Sequence, residues 1–457
     1  MCEREQTLNK REVYGNLFRV AIPIALQGLV ASSLNLVDNL MVGALGESEL
    51  AGVGVGIQIY FVAWIITFGF AGGCSTFVAQ FWGVKDGKNI KKTIGFSAAF
   101  SLTVGTLFFF WGILAPRSIA GIFTDIPQTV NIAAEYIRFG SPCFLFMPLS
   151  VVFEMGLKAT QQTKYPMFIS IIAFSSNTFM NWVLIFGHFG MPAMGVKGAA
   201  IATAFSRLIE IILGIIIVFF RNNVLKGHIK EYIGWSRDLV MRIFKNSLPT
   251  MANEGLWALA TTMYVAAYAR VGITEYASYQ AGETIARLFV IAAFSIGDAA
   301  LILVGQKLGQ RKDEEAYELA ALIIKLTTVI GLIFGGALLM CGKPLVGLYN
   351  FSQEGGRIAF LILVVDALTM VFYILNGVII SGILRSGGDT RFAMILDCGT
   401  IWLIGVPLAF ISTGVFRIPI YMAVLICKTE EVVKLALSLK RFFSKKWARS
   451  VIKDIKQ

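Results

Sequence analysis

Four polar residues within otherwise apolar stretches of the sequence have the chemistry to bind a cation. Asp38 lies in the run AIPIALQGLVASSLNLVDNLMVGALG, and Asn177 and Asn181 lie in SSNTFMNWVLIFG. Thr203 lies in GAAIATAFS. A carboxylate, two amides and a hydroxyl offer oxygen ligands that suit Na⁺, and the carboxylate can instead carry a proton. The sequence therefore predicts a cation-binding or protonation site made of these four residues.

Helix ends give a rough depth for each of these residues. At about 1.5 Å per residue, Asp38, Asn181 and Thr203 all lie about 8–10 Å below the outer surface of a membrane, which favours one shared site. Two alternatives stay open. Asp38 could lie near the outer headgroups, where a carboxylate avoids the ~2.5–3.5 kcal/mol that it costs at the bilayer centre. The amides and the hydroxyl could instead be hydrogen bonds that hold helices together.

A second polar set occurs in the later part of the sequence. In LPTMANEGLWALATTMY, Glu254 is well inside a predicted helix, and Trp257 and Tyr264 lie near its face. A carboxylate beside aromatic rings suits an organic cation. Asp366 is a further acid within a later apolar run. We predict that these four residues line a substrate cleft.

Structural roles are the alternative for several of these charges. Glu254 could pair with a group of the following helix, Glu283 or Arg287, or cap a helix. The spacings of Arg207 with Glu210 and of Glu283 with Arg287 are three and four residues. Such pairs face each other on a helix surface, and we interpret them as structural.

The elements that must position these residues are long apolar blocks. The chain of 457 residues is 56% hydrophobic and only 15% charged, whereas a soluble domain has about 25% charged residues. Each block is long enough for about 20 helical residues, which span a bilayer. We therefore predict an all-α polytopic membrane protein with twelve transmembrane helices. The blocks start near Leu17, Ala51, Ile94, Ala133, Pro166, Gly198, Ser247, Ser278, Leu319, Ile358, Phe392 and Ile418.

The loops between the blocks alternate between basic and nearly neutral. By the positive-inside rule the basic loops are cytoplasmic, which places both termini in the cytoplasm and the protein in the plasma (inner) membrane. The formal net charge of +12 is spread over alternate loops. That distribution indicates topology rather than a nucleic-acid surface, so no nucleic-acid partner is expected.

The two halves of the sequence repeat each other. FRVAIP recurs as FKNSLP 226 residues later, and at the same offset Gln80 and Gly83 recur as Gln306 and Gly309. A shared period of this kind indicates two six-helix halves that run in the same direction. The predicted divisions are an N-terminal half over 1–220, a cytoplasmic linker over 221–245, a C-terminal half over 246–440 and a basic tail over 441–457.

Motifs for catalysis or for a tightly bound metal are missing from the sequence. The two histidines, His188 and His228, lie in predicted loops, and the six cysteines are scattered without a CxxC motif. HExxH and a catalytic triad are therefore excluded. We expect no enzyme activity and no cofactor. Na⁺ or H⁺ is the only ion that we expect the protein to use.

Taken together, these features resemble the MATE family of multidrug and toxin extrusion transporters over essentially the whole chain. The matching stretches are VDNLMVGALG, NTFMNWVLIFGHFGMPAMGVKGAAIAT, LVGQKLG and GILRSGGDT. The resemblance implies two six-helix bundles around a central cleft, alternating access, and export of drugs in exchange for Na⁺ or H⁺.

The resemblance also implies roles for particular residues. Asp38, Asn177 and Thr203 match the cation site of the family's first half. The position of Asn181 is often Asp in the DinF-type branch, and this departure leaves the ion undecided. Glu254 and Asp366 are displaced along their helices from the acids of the NorM-type branch. They are therefore assigned to the cleft on physical grounds alone.

Our hypothesis is a cation-coupled antiporter, functional as a monomer in the bilayer, that exports small organic and cationic compounds. A flippase for lipid-linked sugars or other lipids, from the same wider superfamily, is the alternative. That function would favour a basic cleft for pyrophosphate. A channel or receptor would not need duplicated halves, and a membrane enzyme would need a catalytic cluster.

Overall fold

The structure is a computed structural model that describes residues 10–220, 224–453 and 455. Within these ranges the chain is helical and contains no β-strand. Residues 1–9, residues 221–223 of the predicted linker, and residues 454, 456 and 457 of the predicted tail lie outside the described part.

Seventeen α-helices and three short π-helical segments follow one another along the described chain. The α-helices are α1 (Lys10–Gly43), α2 (Glu47–Gly83), α3 (Gly87–Leu114), α4 (Pro116–Ala120), α5 (Pro127–Gly140), α6 (Cys143–Ala159), α7 (Lys164–Phe186), α8 (Val196–Phe220), α9 (Ile229–Tyr232), α10 (Arg237–Tyr268), α11 (Ile273–Gly309), α12 (Asp313–Val346), α13 (Gln353–Gly377), α14 (Thr390–Thr400), α15 (Val406–Phe410), α16 (Ile420–Cys427) and α17 (Thr429–Phe443). The π-helical segments are Val378–Leu384, Ile401–Gly405 and Ile411–Val415.

The apolar blocks of the sequence correspond to these helices. Nine described helices, some including a π-helical segment, are long and apolar enough to cross a membrane, and α5 with α6 forms a tenth span that bends by 59°. α10 and the pair α16–α17 complete twelve. α16 has only eight residues and continues into α17. The prediction of an all-α protein with twelve membrane helices is confirmed.

Helix boundaries follow from local chemistry. The Asp86 carboxylate accepts a hydrogen bond from the backbone N–H of Asn89 at the start of α3, and Ser352 caps α13 in the same way through Gly355. These side chains satisfy N–H groups that have no partner within the helix. α7 ends where Gly187 takes a left-handed conformation with φ of 79°, which glycine adopts without steric cost.

The chain divides into two compact units. Unit N contains Leu26–Val78 and Lys85–Met251, together with Ile455. Unit C contains residues 10–25, residues 79–84 and residues 252–453 of the described chain. The ends of α1 and α2 that carry residues 10–25 and 79–84 therefore belong to unit C, although both helices precede the predicted linker.

Aromatic side chains form much of the interior of unit N. The Tyr60 and Phe144 rings stack with centroids 4.5 Å apart, and Phe70 stacks on Phe100 at 3.7 Å. Stacked and edge-on pairs of this kind add to the energy of burying their area. The linker continues this packing, because Trp235 contacts Phe96 edge-on at 5.4 Å.

The described part of the linker is attached to α3 by charge as well as by packing. Glu231 of α9 accepts a hydrogen bond from the Lys91 ammonium at 2.6 Å and another from the backbone N–H of His228 at 3.0 Å. The hydrogen bond from Lys91 lowers the pKa of Glu231 below its usual value. Residues 224–245 of the linker are therefore a folded part of unit N.

In unit C the repeated Gln and Gly residues of the sequence lie against one another. A side chain at Gly83 would collide with the carbonyl oxygen of Gln306, and a side chain at Gly309 would collide with the carbonyl oxygen of Gln80. Gln310 also donates a hydrogen bond to the Gly83 carbonyl at 3.0 Å. The ends of α2 and α11 thus cross backbone to backbone, which glycine permits because it has no Cβ.

The chain after α17 folds back onto unit C. Trp447 is 0% exposed, stacks on Phe442 and donates a hydrogen bond to its carbonyl oxygen at 3.1 Å. Gln80 then joins this segment to the rest of the unit. Its Oε1 accepts from the Val451 backbone N–H at 2.8 Å, and its Nε2 donates to the Ser386 carbonyl at 2.8 Å.

Replacing Gly309 by Val should lower the stability of the protein, because the new side chain collides with backbone at the crossing. Overpacking of this kind costs about 1–3 kcal/mol. The measurement is the thermal melting of the purified protein in detergent. Gly336→Val is the matched control, since a Cβ at Gly336 would meet no atom within 4 Å. Equal melting temperatures for the two variants would contradict the close crossing.

Candidate functional site

The first predicted site has a compact centre in unit N. The Asn181 amide nitrogen donates to Asp38 Oδ1 at 2.6 Å and to Asn177 Oδ1 at 3.0 Å. Asp38 and Asn181 each lie five residues before the end of their helices, α1 and α7. The two residues are therefore each about 8 Å along the helix axis from the end of their helix.

The fourth predicted residue is connected to this centre through a tyrosine. Thr203 donates its hydroxyl to the Ala199 carbonyl at 3.0 Å and lies near the Tyr136 hydroxyl. Tyr136 in turn interacts electrostatically with Asp38, as does Arg207, one turn after Thr203 on α8. Asn181 of α7, Tyr136 of α5 and Arg207 of α8 thus interact with one carboxylate.

Two atoms of the centre have unused hydrogen-bonding capacity. Asn177 is 0% exposed and Asn181 is 1% exposed. Asn181 Oδ1 and Asn177 Nδ2 have no hydrogen-bond partner among the residues that the structure describes. A buried polar atom without a partner costs about 1–3 kcal/mol. An acceptor oxygen beside a carboxylate is therefore available to a cation or to a water molecule.

In unit C, Glu254 forms an ion pair with a residue from far along the chain. The Arg385 guanidinium lies 2.9 Å from its carboxylate, and the side chains are 9% and 20% exposed for Arg385 and Glu254. The sequence alternative of an ion pair therefore describes its surroundings, but the partner is Arg385 rather than Glu283 or Arg287. Arg385 lies directly after the π-helical segment Val378–Leu384.

Asp366 lies in a different ion pair. Its carboxylate is 2.9 Å from the Lys428 ammonium, and the aspartate is 4% exposed. The same ammonium lies 5.5 Å from the centre of the Tyr373 ring. Glu283 interacts electrostatically with both Asp366 and Lys428. The structure therefore gives Glu254 and Asp366 separate partners instead of one shared cluster.

A third buried charge cluster lies around Lys434, which is 3% exposed. Its ammonium lies 3.0 Å from Asp397, 3.3 Å from Glu431 and 3.8 Å from Glu430. Asn253, the neighbour of Glu254, donates to Asp397 at 3.1 Å. Three carboxylates thus share one lysine, and the cluster carries an excess of negative charge when all are ionised.

The two predicted aromatic residues have different surroundings. Trp257 is 37% exposed, so part of its side chain lies outside the packing of unit C. Tyr264 is partly buried, and its hydroxyl lies with Glu430 Oε2 against Gly405, where any larger residue would collide with both. Of the two, Tyr264 is the one joined to the charge cluster around Lys434.

Comparison with known proteins identifies the family at this point. The MatE family model matches residues 23–183 and 247–411, which is more than half of the chain. The chain belongs to the MatE family. Members of this family are multidrug efflux transporters rather than enzymes. The chain is therefore a transporter and a multi-pass membrane protein, as the sequence predicts.

Similar proteins support the assignment over nearly the full length. "Probable multidrug resistance protein YoeA" of Bacillus subtilis is 23% identical over 420 residues, which cover 91% of this chain and 90% of that protein. "Probable multidrug resistance protein NorM" of Thermotoga maritima is 23% identical over 450 residues, which cover 96% and 94%. The crystal structure of the MATE transporter VcmN from Vibrio cholerae in its bent form matches with a TM-score of 0.86, 16% identity, and coverage of 97% of this chain and 100% of that chain.

Several charged residues of this MatE protein were missed by the sequence predictions. Arg385 lies in the stretch GILRSGGDT without a predicted role, and Lys428 and Lys434 were not singled out. In KTEEVVK, the spacing of Glu430 and Glu431 to Lys434 is four and three residues. That pattern within a predicted span indicates an intrahelical pair. No signal in the sequence distinguishes Tyr136 from other aromatic residues of the spans.

Replacing Lys434 by Met should strongly destabilise the protein, because three buried carboxylates would lose their shared cation. Breaking a buried ion pair from one side costs about 3–5 kcal/mol. Thermal melting in detergent measures the effect. The matched control is Lys312→Met, which removes an exposed lysine paired with Glu315 and should leave the melting temperature unchanged. If both variants melt alike, Lys434 does not balance the cluster.

Proposed function

We propose that this MatE protein is a cation-coupled antiporter that exports organic cations by alternating access, with Asp38 as the residue that binds the coupling ion. The observation that carries the proposal is the Asp38–Asn181–Asn177 centre. It combines a half-buried carboxylate with an amide oxygen that has no hydrogen-bond partner among the described residues. Such a centre holds one negative charge, which one Na⁺ or one proton neutralises.

Coupling requires that the ion and the exported compound favour different conformations. A ligand shifts an equilibrium between two states only by the difference in its affinity for them. Binding of a cation at Asp38 removes a charge that α1, α7 and α8 otherwise enclose, so it changes the energy of any arrangement that separates these helices. We propose that this difference drives export.

The charges of unit C support an organic cation as the exported compound. Lys434 is surrounded by three carboxylates, so one positive charge faces up to three negative ones. Tyr264 lies against Glu430, and Trp257, on the same helix, is partly exposed. Aromatic faces and carboxylates together attract a cation. Glu254, Trp257, Tyr264 and Asp366 remain our candidates for the substrate site.

The alternative function, a lipid flippase, is less well supported. An excess of buried carboxylates repels the phosphate groups of a lipid-linked sugar. The relatives compared above are named as multidrug resistance proteins. For the cellular setting we propose the plasma membrane with both termini cytoplasmic, on the basis of the basic loops, and a functional monomer.

Asp38→Asn should abolish gradient-driven efflux of a fluorescent organic cation from proteoliposomes while the protein stays folded. The substitution keeps the shape of the side chain but removes the charge that binds the ion. The matched control is Glu135→Gln, which removes a different carboxylate of unit N, one that pairs with Lys197 at 2.9 Å and is 41% exposed. Efflux by Asp38→Asn at the wild-type rate would overturn the proposed function.

The same proteoliposomes identify the coupling ion. Efflux is measured with an inward Na⁺ gradient at equal pH, and then with a pH gradient in the absence of Na⁺. We expect one of the two gradients to drive export in the wild type and neither to drive it in Asp38→Asn. Export that proceeds without either gradient would contradict antiport.

A further inference from the structure

Unit N contains a small cavity, away from the Asp38 centre, whose wall includes polar side chains. Its volume of about 20 Å³ is sufficient for one water molecule or an ion of similar size. Four apolar side chains form part of its wall. The remaining lining residues are polar: Gln27, Ser150, Glu154, Ser170 and Glu210.

One oxygen in this wall has no partner. Gln27 is 7% exposed and donates its amide nitrogen to Ser170 Oγ at 3.2 Å. Its Oε1 accepts no hydrogen bond from any residue in the described ranges. A buried amide oxygen is costly to leave unsatisfied. This atom therefore favours a ligand that donates a hydrogen bond or carries a positive charge.

The two carboxylates of the cavity are held by neighbours on their own helices. Both oxygens of Glu210 accept from Arg207 Nη1 at 3.0 Å, and Glu154 pairs with Lys158 at 2.5 Å. Ser150 donates to the Arg207 carbonyl oxygen at 3.4 Å. The polar wall therefore offers mainly acceptor oxygens, and cation ligands are of this kind.

Helical spacing connects this cavity to the Asp38 centre. Residues eleven, seven or four positions apart on an α-helix lie on nearly the same face, because a turn contains 3.6 residues. The eleven-residue spacing on α1 corresponds to about 16 Å along the helix axis. On each of three helices, a residue at the cavity shares a helix face with a residue at the Asp38 centre. Two of the cavity residues line its wall, and the third pairs with the lining residue Glu210. The matches are Gln27 with Asp38 on α1, Ser170 with Asn177 on α7, and Arg207 with Thr203 on α8.

The charged residues between the cavity and the Asp38 centre, which we call the path, carry one more negative than positive charge. Asp38, Glu154 and Glu210 contribute three negative charges when ionised, and Arg207 and Lys158 contribute two positive ones. Arg207 interacts electrostatically with all three carboxylates. One monovalent cation therefore balances the path, and Arg207 can neutralise whichever end the cation does not occupy.

We propose that the cavity at Gln27, Glu154 and Glu210 is a second binding site for the coupling cation. It lies on the side of Asp38 nearer the basic loops. It accepts a small monovalent cation, either Na⁺ or a proton carried on water or on a carboxylate. The cation occupies the Asp38 centre or the cavity in turn, and Arg207 balances the empty one. This inference rests on the proposed function, since it describes the route of the same ion.

The first test compares Gln27→Leu with a matched control, Gln128→Leu. Each variant removes one Gln–Ser hydrogen bond of unit N without changing the charge, and Gln128 donates to Ser48 at 3.1 Å, outside the path. In proteoliposomes, Gln27→Leu should slow coupled efflux about tenfold, the effect expected from losing one hydrogen bond. Equilibrium binding of the cation should stay within about twofold of the wild type, because Asp38 is intact. Gln128→Leu should match the wild type in both.

Cation binding is measured with ²²Na⁺ in one arm and by proton uptake after a pH jump in the other, so the arm that responds identifies the ion. Efflux by Gln27→Leu at the wild-type rate would overturn the proposal of a second binding site. So would a parallel loss of binding and efflux, which would mean that Gln27 merely supports the Asp38 centre. Failure of the proposed function is read separately, from efflux by Asp38→Asn.

A second variant tests the charge balance directly. Gln27→Glu adds a carboxylate to the cavity and should raise the cation stoichiometry at saturation from one to two per chain. A stoichiometry that stays at one would show that the cavity does not bind cations. The measurement needs only equilibrium binding to the folded protein, so a variant with slow transport remains informative.

Discussion

A charged or strongly polar side chain in an apolar span must find its partner inside the protein, and this constraint shapes both units. Lipid offers no hydrogen bonds, so each buried group either pairs with another or faces a cavity. Asp38 meets this condition through Asn181, which Asn177 supports one turn away on the same face of α7. This pairing holds α1 and α7 in register. The same hydrogen bonds therefore form the candidate site and contribute to helix packing.

The two units satisfy the constraint in different ways. In unit C the acids of the spans are paired with basic residues, as in Glu254 with Arg385, Asp366 with Lys428 and the three acids that share Lys434. In unit N the Asp38 carboxylate is met by a neutral amide, and Arg207 is divided among three acids. A site closed by a neutral group keeps its charge for an exchangeable ion. This difference is the physical reason for assigning the coupling ion to unit N.

Much of this could be predicted from local sequence, and the failures have a common cause. Hydropathy predicts twelve spans because a segment that crosses lipid must form a helix, which satisfies its own backbone hydrogen bonds, and must present apolar side chains to the lipid. Counting residues from helix ends brings Asp38 and Asn181 to one depth, and the structure joins them by a hydrogen bond. The partner of Glu254 could not be predicted in this way, because Arg385 is 131 positions away and only tertiary packing brings it near. The fold-back of Trp447 onto unit C likewise depends on distant residues such as Gln80.

In the proposed function, the choice between Na⁺ and H⁺ depends on the groups around Asp38. In the structure Asn181 directs its nitrogen at Asp38 Oδ1, so its oxygen lies free. A proton can bind the second carboxylate oxygen of Asp38 while this hydrogen bond stays intact. Na⁺ instead needs several oxygen ligands, and the unpartnered Asn181 Oδ1 is a candidate for one of them. With Asp at this position two carboxylates would face the ion. With Asn the proposed site holds one negative charge, which a single proton or a single Na⁺ neutralises.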